Sequence, residues 1–130
     1  MIGKEEFCNK IKQCEVSMYY LAQSIVNDKE DASDVVNESI LKAYEKLEHL
    51  KNEELFKTWI LRIVHNTAIE MIRKNKKMLE KQTYREVKIL FYYENLSVEE
   101  ISQITNTNIL TVRKQLSMVR KQLKELLKEA

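Results

Sequence analysis

Leu96-Ser-Val-Glu-Glu-Ile-Ser-Gln-Ile-Thr-Asn-Thr-Asn-Ile-Leu-Thr-Val-Arg-Lys-Gln-Leu-Ser-Met-Val-Arg-Lys-Gln-Leu123 decides the fold. Ser97 and Glu100, three residues apart, make a capping box that satisfies the first free amides of a helix. That helix is short and ends near Thr105, because Asn106 tolerates the left-handed conformation of a helix stop. Asn108 can cap the next helix, which runs to about Leu127. Val112, Leu116, Val119 and Leu123 form its inner stripe at helical spacing. A short capped helix, a turn of about four residues and a longer basic helix describe a helix-turn-helix. Its last helix turns Arg113, Lys114, Ser117 and Lys121 outward, with Gln115 and Met118 at the edges. Arg and Lys reach guanine edges or phosphates, and Ser and Gln add hydrogen bonds in a major groove. The plain alternative is a helical hairpin with a solvated basic face.

Composition agrees with an all-α chain. The 130 residues contain one Gly and no Pro, which leaves no Gly-rich phosphate loop, no dinucleotide fingerprint and no turn-dense β fold. Hydrophobic residues make up 44% and charged residues 32%, the balance of a folded, soluble chain. Charge is unevenly spread: residues 1–72 carry 9 Lys/Arg against 13 Asp/Glu, and residues 73–130 carry 13 against 7. An acidic front and a basic back predict two surfaces with different partners.

Upstream, helical periodicity continues almost without a break. A first helix is predicted over Lys4–Val26, with Phe7, Ile11, Met18, Leu21 and Ile25 inward. A second, capped by Asp28 or Asp31, is expected from about Asp31 to Leu47, with Val36, Ile40, Ala43 and Leu47 inward. Its opposite face carries Asp34, Asn37, Glu38, Leu41 and Glu45. This is either an acidic docking patch around one exposed leucine or a solvated helix side. A third helix is expected over about Glu53–Lys77, with Ile60, Ile63, Val64, Thr67 and Met71 inward. Thr58, Arg62, Asn66, Ile69 and Arg73 share its other face, next to Trp59 and His65 and ahead of a basic run. An aromatic beside cationic and polar groups can stack unpaired bases while the basic run holds phosphate. Alternatively, Trp59 is core and the lysines answer the helix dipole. Lys74–Gln82 is read as a hinge or as continuous helix. Tyr84–Tyr93 is read as a further helix, with Val87, Leu90 and Phe91 inward.

Other chemistries find little support. Cys8 and Cys14 form neither a C-x-x-C pair nor a cluster with His, so they read as partly buried helix thiols in a reducing compartment, and no metal is expected. His49 and His65 lie far apart and outside any nucleophile motif, so no catalytic residue and no cofactor are expected. The charged start, with no apolar run behind it, and the lack of an apolar window of ~20 residues predict a cytoplasmic chain without membrane insertion.

These signals occur in a telling order. Asp31-Ala-Ser-Asp-Val-Val-Asn-Glu-Ser-Ile-Leu-Lys-Ala-Tyr44, then Phe56-Lys-Thr-Trp-Ile-Leu-Arg-Ile-Val-His-Asn66 and the basic run, resemble region 2 of bacterial RNA polymerase sigma factors of the extracytoplasmic-function type. Tyr84-Arg-Glu-Val, Leu96-Ser-Val-Glu-Glu-Ile and Leu110-Thr-Val-Arg-Lys-Gln-Leu116 resemble region 4 of that family. The resemblance spans roughly residues 5–125 and implies two small helical modules. Residues 1–77 would be a three-helix module, 78–82 a short linker and 83–130 the helix-turn-helix module. It implies that Asp34, Asn37, Glu38 and Leu41 dock on the clamp helices of the largest subunit of core RNA polymerase. Thr58, Trp59, Arg62, Asn66 and Arg73, with the loop before them, would melt the minus-ten element and hold a flipped base. Thr111, Arg113, Lys114, Gln115, Ser117 and Lys121 would read the minus-thirty-five element of promoter DNA. Region 4 would also sit on the flap of the second-largest subunit, and the family leaves room for an anti-sigma factor. Two rival functions are a sigma-derived helix-turn-helix regulator and a polymerase- or anti-sigma-binding module without promoter activity.

The chain departs from the family's pattern in places. Asn37 stands where Gln is usual, Leu110 and Asn106 where Gly is usual, and the Leu-Pro before Tyr84 is missing. The linker is far shorter than the family's: six residues, Met78–Thr83, span at most ~20 Å extended. One duplex turn is ~34 Å, so the two modules are expected close or packed together.

Overall fold

The computed structural model describes residues 2–73 and 86–129, and every regular element among them is helical. The linker and hinge predicted within residues 74–85 lie outside the described residues. Helix α1 spans Lys4–Val26 and ends on Asn27, which takes φ 58° and returns its N–H to the Gln23 carbonyl. Asp28 then caps α2, Lys29–Glu45, by accepting from the Asp31 N–H at 2.9 Å. The helix therefore starts two residues before the predicted Asp31. It also ends before Leu47, because Leu47–His49 tightens into a 3-10 turn.

The third helix begins later than its periodicity suggests. The Asn52 side chain accepts from the Glu54 N–H at 3.0 Å, which winds Glu53–Leu55 into a second 3-10 turn. A side-chain acceptor two residues back competes with the regular helix ladder. Helix α3 then runs Phe56–Ile72. It is buried on two sides. Ile60, Val64 and Thr67 are buried along the predicted stripe, with Ile63 and Met71 half-buried. Leu61, His65, Ala68 and Ile72 are buried one step round the helix. They align with Thr58 at three- and four-residue spacing, so α3 carries a second seam.

The second seam meets the other module. After Glu86–Lys88 the chain forms a π-helical segment, Ile89–Tyr93, where an α-helix was predicted. The Glu94 N–H bonds the Ile89 carbonyl, the Leu96 N–H bonds the Leu90 carbonyl, and Asn95 at φ 55° turns the chain. Val87 and Leu90 are fully buried as expected, and Phe91 is half-buried beneath the Arg120 guanidinium, 5.7 Å from its ring centre. Helix α4, Val98–Thr105, and helix α5, Ile109–Glu129, complete the fold. Helix α3 packs against α1, α2 and α4. One apolar cluster runs without interruption from Phe7 and Leu21 through Ile60 and Leu61 to Ile101, Val112 and Leu116. The two modules are packed together.

The thiols divide. Cys8 is exposed, correcting its predicted partial burial, while Cys14 is buried. Burial pushes the Cys14 thiol up, more than nearby Lys57 lowers it. A buried, raised thiol supplies little thiolate. Iodoacetamide is expected to alkylate Cys8 alone in the folded chain and both thiols in denaturant, as mass spectrometry would show. Equal labelling of both thiols in the native state would contradict this packing.

Candidate nucleic-acid and partner interfaces

Helix α5 is aimed by its caps. Ser97 and Glu100 close the predicted capping box, with both bonds at 3.1 Å. Asn106 takes φ 52°, and the Asn108 side chain accepts from the Leu110 N–H at 2.8 Å. Val112, Leu116 and Val119 anchor the inner side of α5. Thr111, Arg113, Lys114, Ser117 and Lys121 are therefore all exposed, as predicted. Gln115 differs. It is half-buried, and its amide oxygen is enclosed without a hydrogen-bond partner among the described residues. Only the packed structure reveals this, since Gln115 neighbours the inward Leu116 in sequence.

Helix α3 supplies a second polar face. Arg62, Asn66 and Arg73 are exposed, while Thr58 and Trp59 are half-buried. Trp59 leans on Phe56 with ring centres 5.7 Å apart. Together with the 3-10 loop, Thr58, Trp59 and Arg62 frame a cavity of about 280 Å³. Leu50, Asn52, Thr58, Trp59 and Arg62 line it, and so does Gln103 from α4. An apolar wall with a tryptophan, an arginine and an amide rim suits a single flat, polar-edged ring. Gln103 was not found from the sequence, because it reaches this site across some forty residues of chain. His65, which the sequence placed beside the polar face, is buried and pairs through Nδ1 with the Glu86 carboxylate.

The third face lies on α2. Asp34, Asn37, Glu38 and Leu41 are all exposed, Leu41 to 66%, and they follow one side of the helix. Lys42 sits at the edge, 3.6 Å from Glu38 and 3.2 Å from Glu70, and ties α2 to α3. Beside Asn37, a groove of about 490 Å³ opens between α1 and α2 over Val16, Tyr20 and Val36. Val16 and Tyr20 are exposed to 66% and 54% and extend the apolar part of this surface. Their four-residue spacing off the buried stripe of α1 was the available signal. No cluster of three or more metal-ligating side chains exists among the described residues, and none of their helices is long and apolar enough to cross a membrane.

A helix-turn-helix packed on a three-helix module, with separate acidic and basic faces, defines a class of two-module nucleic-acid-binding proteins. The Sigma-70 region 2 family model matches residues 11–78, and the Sigma-70, region 4 model matches residues 81–123. The chain belongs to the sigma-70 family, in its extracytoplasmic-function group. RNA polymerase sigma factor SigV of Bacillus subtilis is 33% identical, covering 75% of this chain and 76% of its own length. ECF RNA polymerase sigma factor SigW of the same organism is 23% identical over an alignment of 171 positions, longer than this chain, that covers 95% of this chain and 91% of SigW. The sigma factor RpoE from Bartonella quintana, solved with the anti-sigma factor NepR, has the same fold at TM-score 0.82 and 20% identity, covering 95% of this chain and 98% of that one. CnrH, solved with the cytosolic domain of CnrY, follows at TM-score 0.75 and 20% identity, covering 98% of this chain and 90% of that one.

Proposed function

We propose that the chain is a sigma factor that directs promoter-specific transcription initiation, binding core RNA polymerase and promoter DNA together in the bacterial cytoplasm. The observation that carries this is the ordered pair of family matches, with only residues 79 and 80 between them. The three exposed faces fit the three tasks. Asp34, Asn37, Glu38 and Leu41 dock on the largest-subunit clamp helices. Arg62, Asn66 and Arg73 hold the opened minus-ten strand, and the cavity beside Thr58 and Trp59 takes one flipped base. Thr111, Arg113, Lys114, Ser117 and Lys121 read the minus-thirty-five duplex, and Gln115 joins them from the edge. Residues 1–77 and 83–130 act as the two modules, and the second also meets the second-largest-subunit flap. An anti-sigma factor is a further partner, since the RpoE structure named above was solved with one. The chain performs no chemistry of its own; the polymerase does.

Run-off transcription with core polymerase on the promoter of the chain's own gene tests this. A specific transcript that depends on the added chain is expected, and its absence despite binding to core polymerase would overturn the proposal. Asn66→Ala sharpens the test. Asn66 is exposed one turn from Arg62, and the core does not need it. The variant should fold, bind core polymerase as before and form open complexes several-fold more slowly, as followed by permanganate footprinting. Loss of helical content would instead make Asn66 structural.

A further inference from the structure

One face of α1 is turned to solvent along its whole length. Asn9, Gln13, Val16, Tyr20, Gln23 and Asn27 follow it at alternating four- and three-residue spacing, the seam spacing of a two-stranded coiled coil. The strip lies opposite the buried Ile11, Met18, Leu21 and Ile25; five of its residues are exposed and Gln23 is half-buried. None of the six is charged, although charged residues make up 32% of the chain and dominate the exposed side of α2. Charge along α1 is also lopsided. Every charged residue of the helix lies between Lys4 and Glu15, and Val16–Val26 has none. The strip reads alike from either end: two amides, two large apolar groups, two amides. Beside its centre lies the groove of about 490 Å³ between α1 and α2, lined by Val16, Tyr20 and Val36.

We propose that α1 is a self-association face, on which two copies of the chain pair antiparallel about a two-fold axis level with Met18. A two-fold interface must be complementary to itself, residue for residue. The strip meets that condition: Asn9 comes opposite the partner's Asn27, Gln13 opposite the partner's Gln23, and Val16 opposite the partner's Tyr20. The amides can bond to one another, since each holds both donors and an acceptor. The two apolar pairs meet at the centre, where the groove beside Val16 leaves room for the facing tyrosine ring. Charge selects the direction. Antiparallel, Lys10, Lys12 and Glu15 lie against the uncharged half of the facing helix, whereas parallel pairing sets each of them against its own copy. Glu6 then passes the end of the facing helix, where Lys88 and Asn27 line one cavity. The seam is only about 27 Å long at 1.5 Å per residue. An interface of that size falls at the small end for specific complexes, so the pair is reversible, with a Kd on the order of 10 µM.

Sedimentation of the full chain tests the pairing, over a series from about 1 to about 200 µM that brackets such a Kd. The mass of the native chain is expected to rise from that of one copy toward that of two. Val16→Glu with Tyr20→Glu gathers four carboxylates around the axis and should weaken the pair at least tenfold. Both side chains are exposed, so helical content should stay unchanged. A second comparison reads the direction. Gln13→Glu with Gln23→Lys creates two opposite-charge contacts across an antiparallel seam and should tighten the pair about threefold at low salt, an advantage lost at high salt. Gln13→Glu with Gln23→Glu creates two like-charge contacts and should weaken it by a similar factor. Positions 13 and 23 are about 15 Å apart along one helix, so the comparison reads contacts between copies. A native chain that stays at the mass of one copy throughout overturns the proposal. If Val16→Glu with Tyr20→Glu then also loses core polymerase, the strip belongs to the docking face of α2. Pairing that is equally strong in the Glu/Lys and Glu/Glu variants overturns the antiparallel seam.

Discussion

Leu61→Ala is expected to destabilise the whole chain by about 2–5 kcal/mol, in one cooperative transition that takes both modules with it. Leu61 is fully buried on the second seam of α3, aligned with Thr58 and His65, which bond to the helix-turn-helix module. Truncating it removes three carbons from a filled site and leaves a cavity that the surrounding helices only partly close. Because the apolar cluster runs unbroken across the seam, the second module loses packing along with the first. Urea unfolding followed by circular dichroism, and by the fluorescence of Trp59 in the first module, checks this. The two signals should move together to a lower midpoint with an unchanged slope. Two separate transitions, with only the tryptophan signal shifted, would mean that the modules fold independently.

Arg113→Ala is expected to weaken binding to the minus-thirty-five duplex by about 1–3 kcal/mol and to relax specificity at a single base pair. Arg113 is exposed in the second turn of α5, next to buried Val112, so its side chain leaves the core at the point nearest the turn. A recognition helix reads bases with its N-terminal turns. Lys121, two turns further on, is also exposed and is better placed for phosphate. Lys121→Ala should weaken specific and random duplexes alike and lower the salt slope by about one. Fluorescence anisotropy over a salt series separates the two effects. Equal losses on specific and random duplex for both variants would remove the base-reading role from Arg113.

The candidate surfaces were legible from the sequence because each occupies one side of one helix. Asp34, Asn37, Glu38 and Leu41 follow a single turn-by-turn line, as do Arg62 and Asn66, and periodicity places such residues opposite an apolar stripe. All of them are exposed. The helix-turn-helix was equally legible, because Ser97, Glu100, Asn106 and Asn108 act on backbone groups within four residues of themselves. The 3-10 turn at Glu53–Leu55 and the π-helical Ile89–Tyr93 were not legible. There, local side-chain acceptors and the fit of Leu90 into a shared core override the regular ladder.

The sequence by itself determined an all-α chain with two modules, the caps, the inward stripes and the outward faces, since each depends on residues within about two helical turns. Tertiary structure alone decided that α3 is buried on two sides, that Gln103 closes a cavity begun by Asn52 and Arg62, and that Gln115 is half-buried. It also decided that Glu86, Glu94 and Glu100 find their partners at His65, Lys57 and Thr58. Those pairs join residues twenty-one to forty-two positions apart. A glutamate on a helix surface has the same spacing whether it faces water or another helix, and only the packing of the two modules gives it a partner.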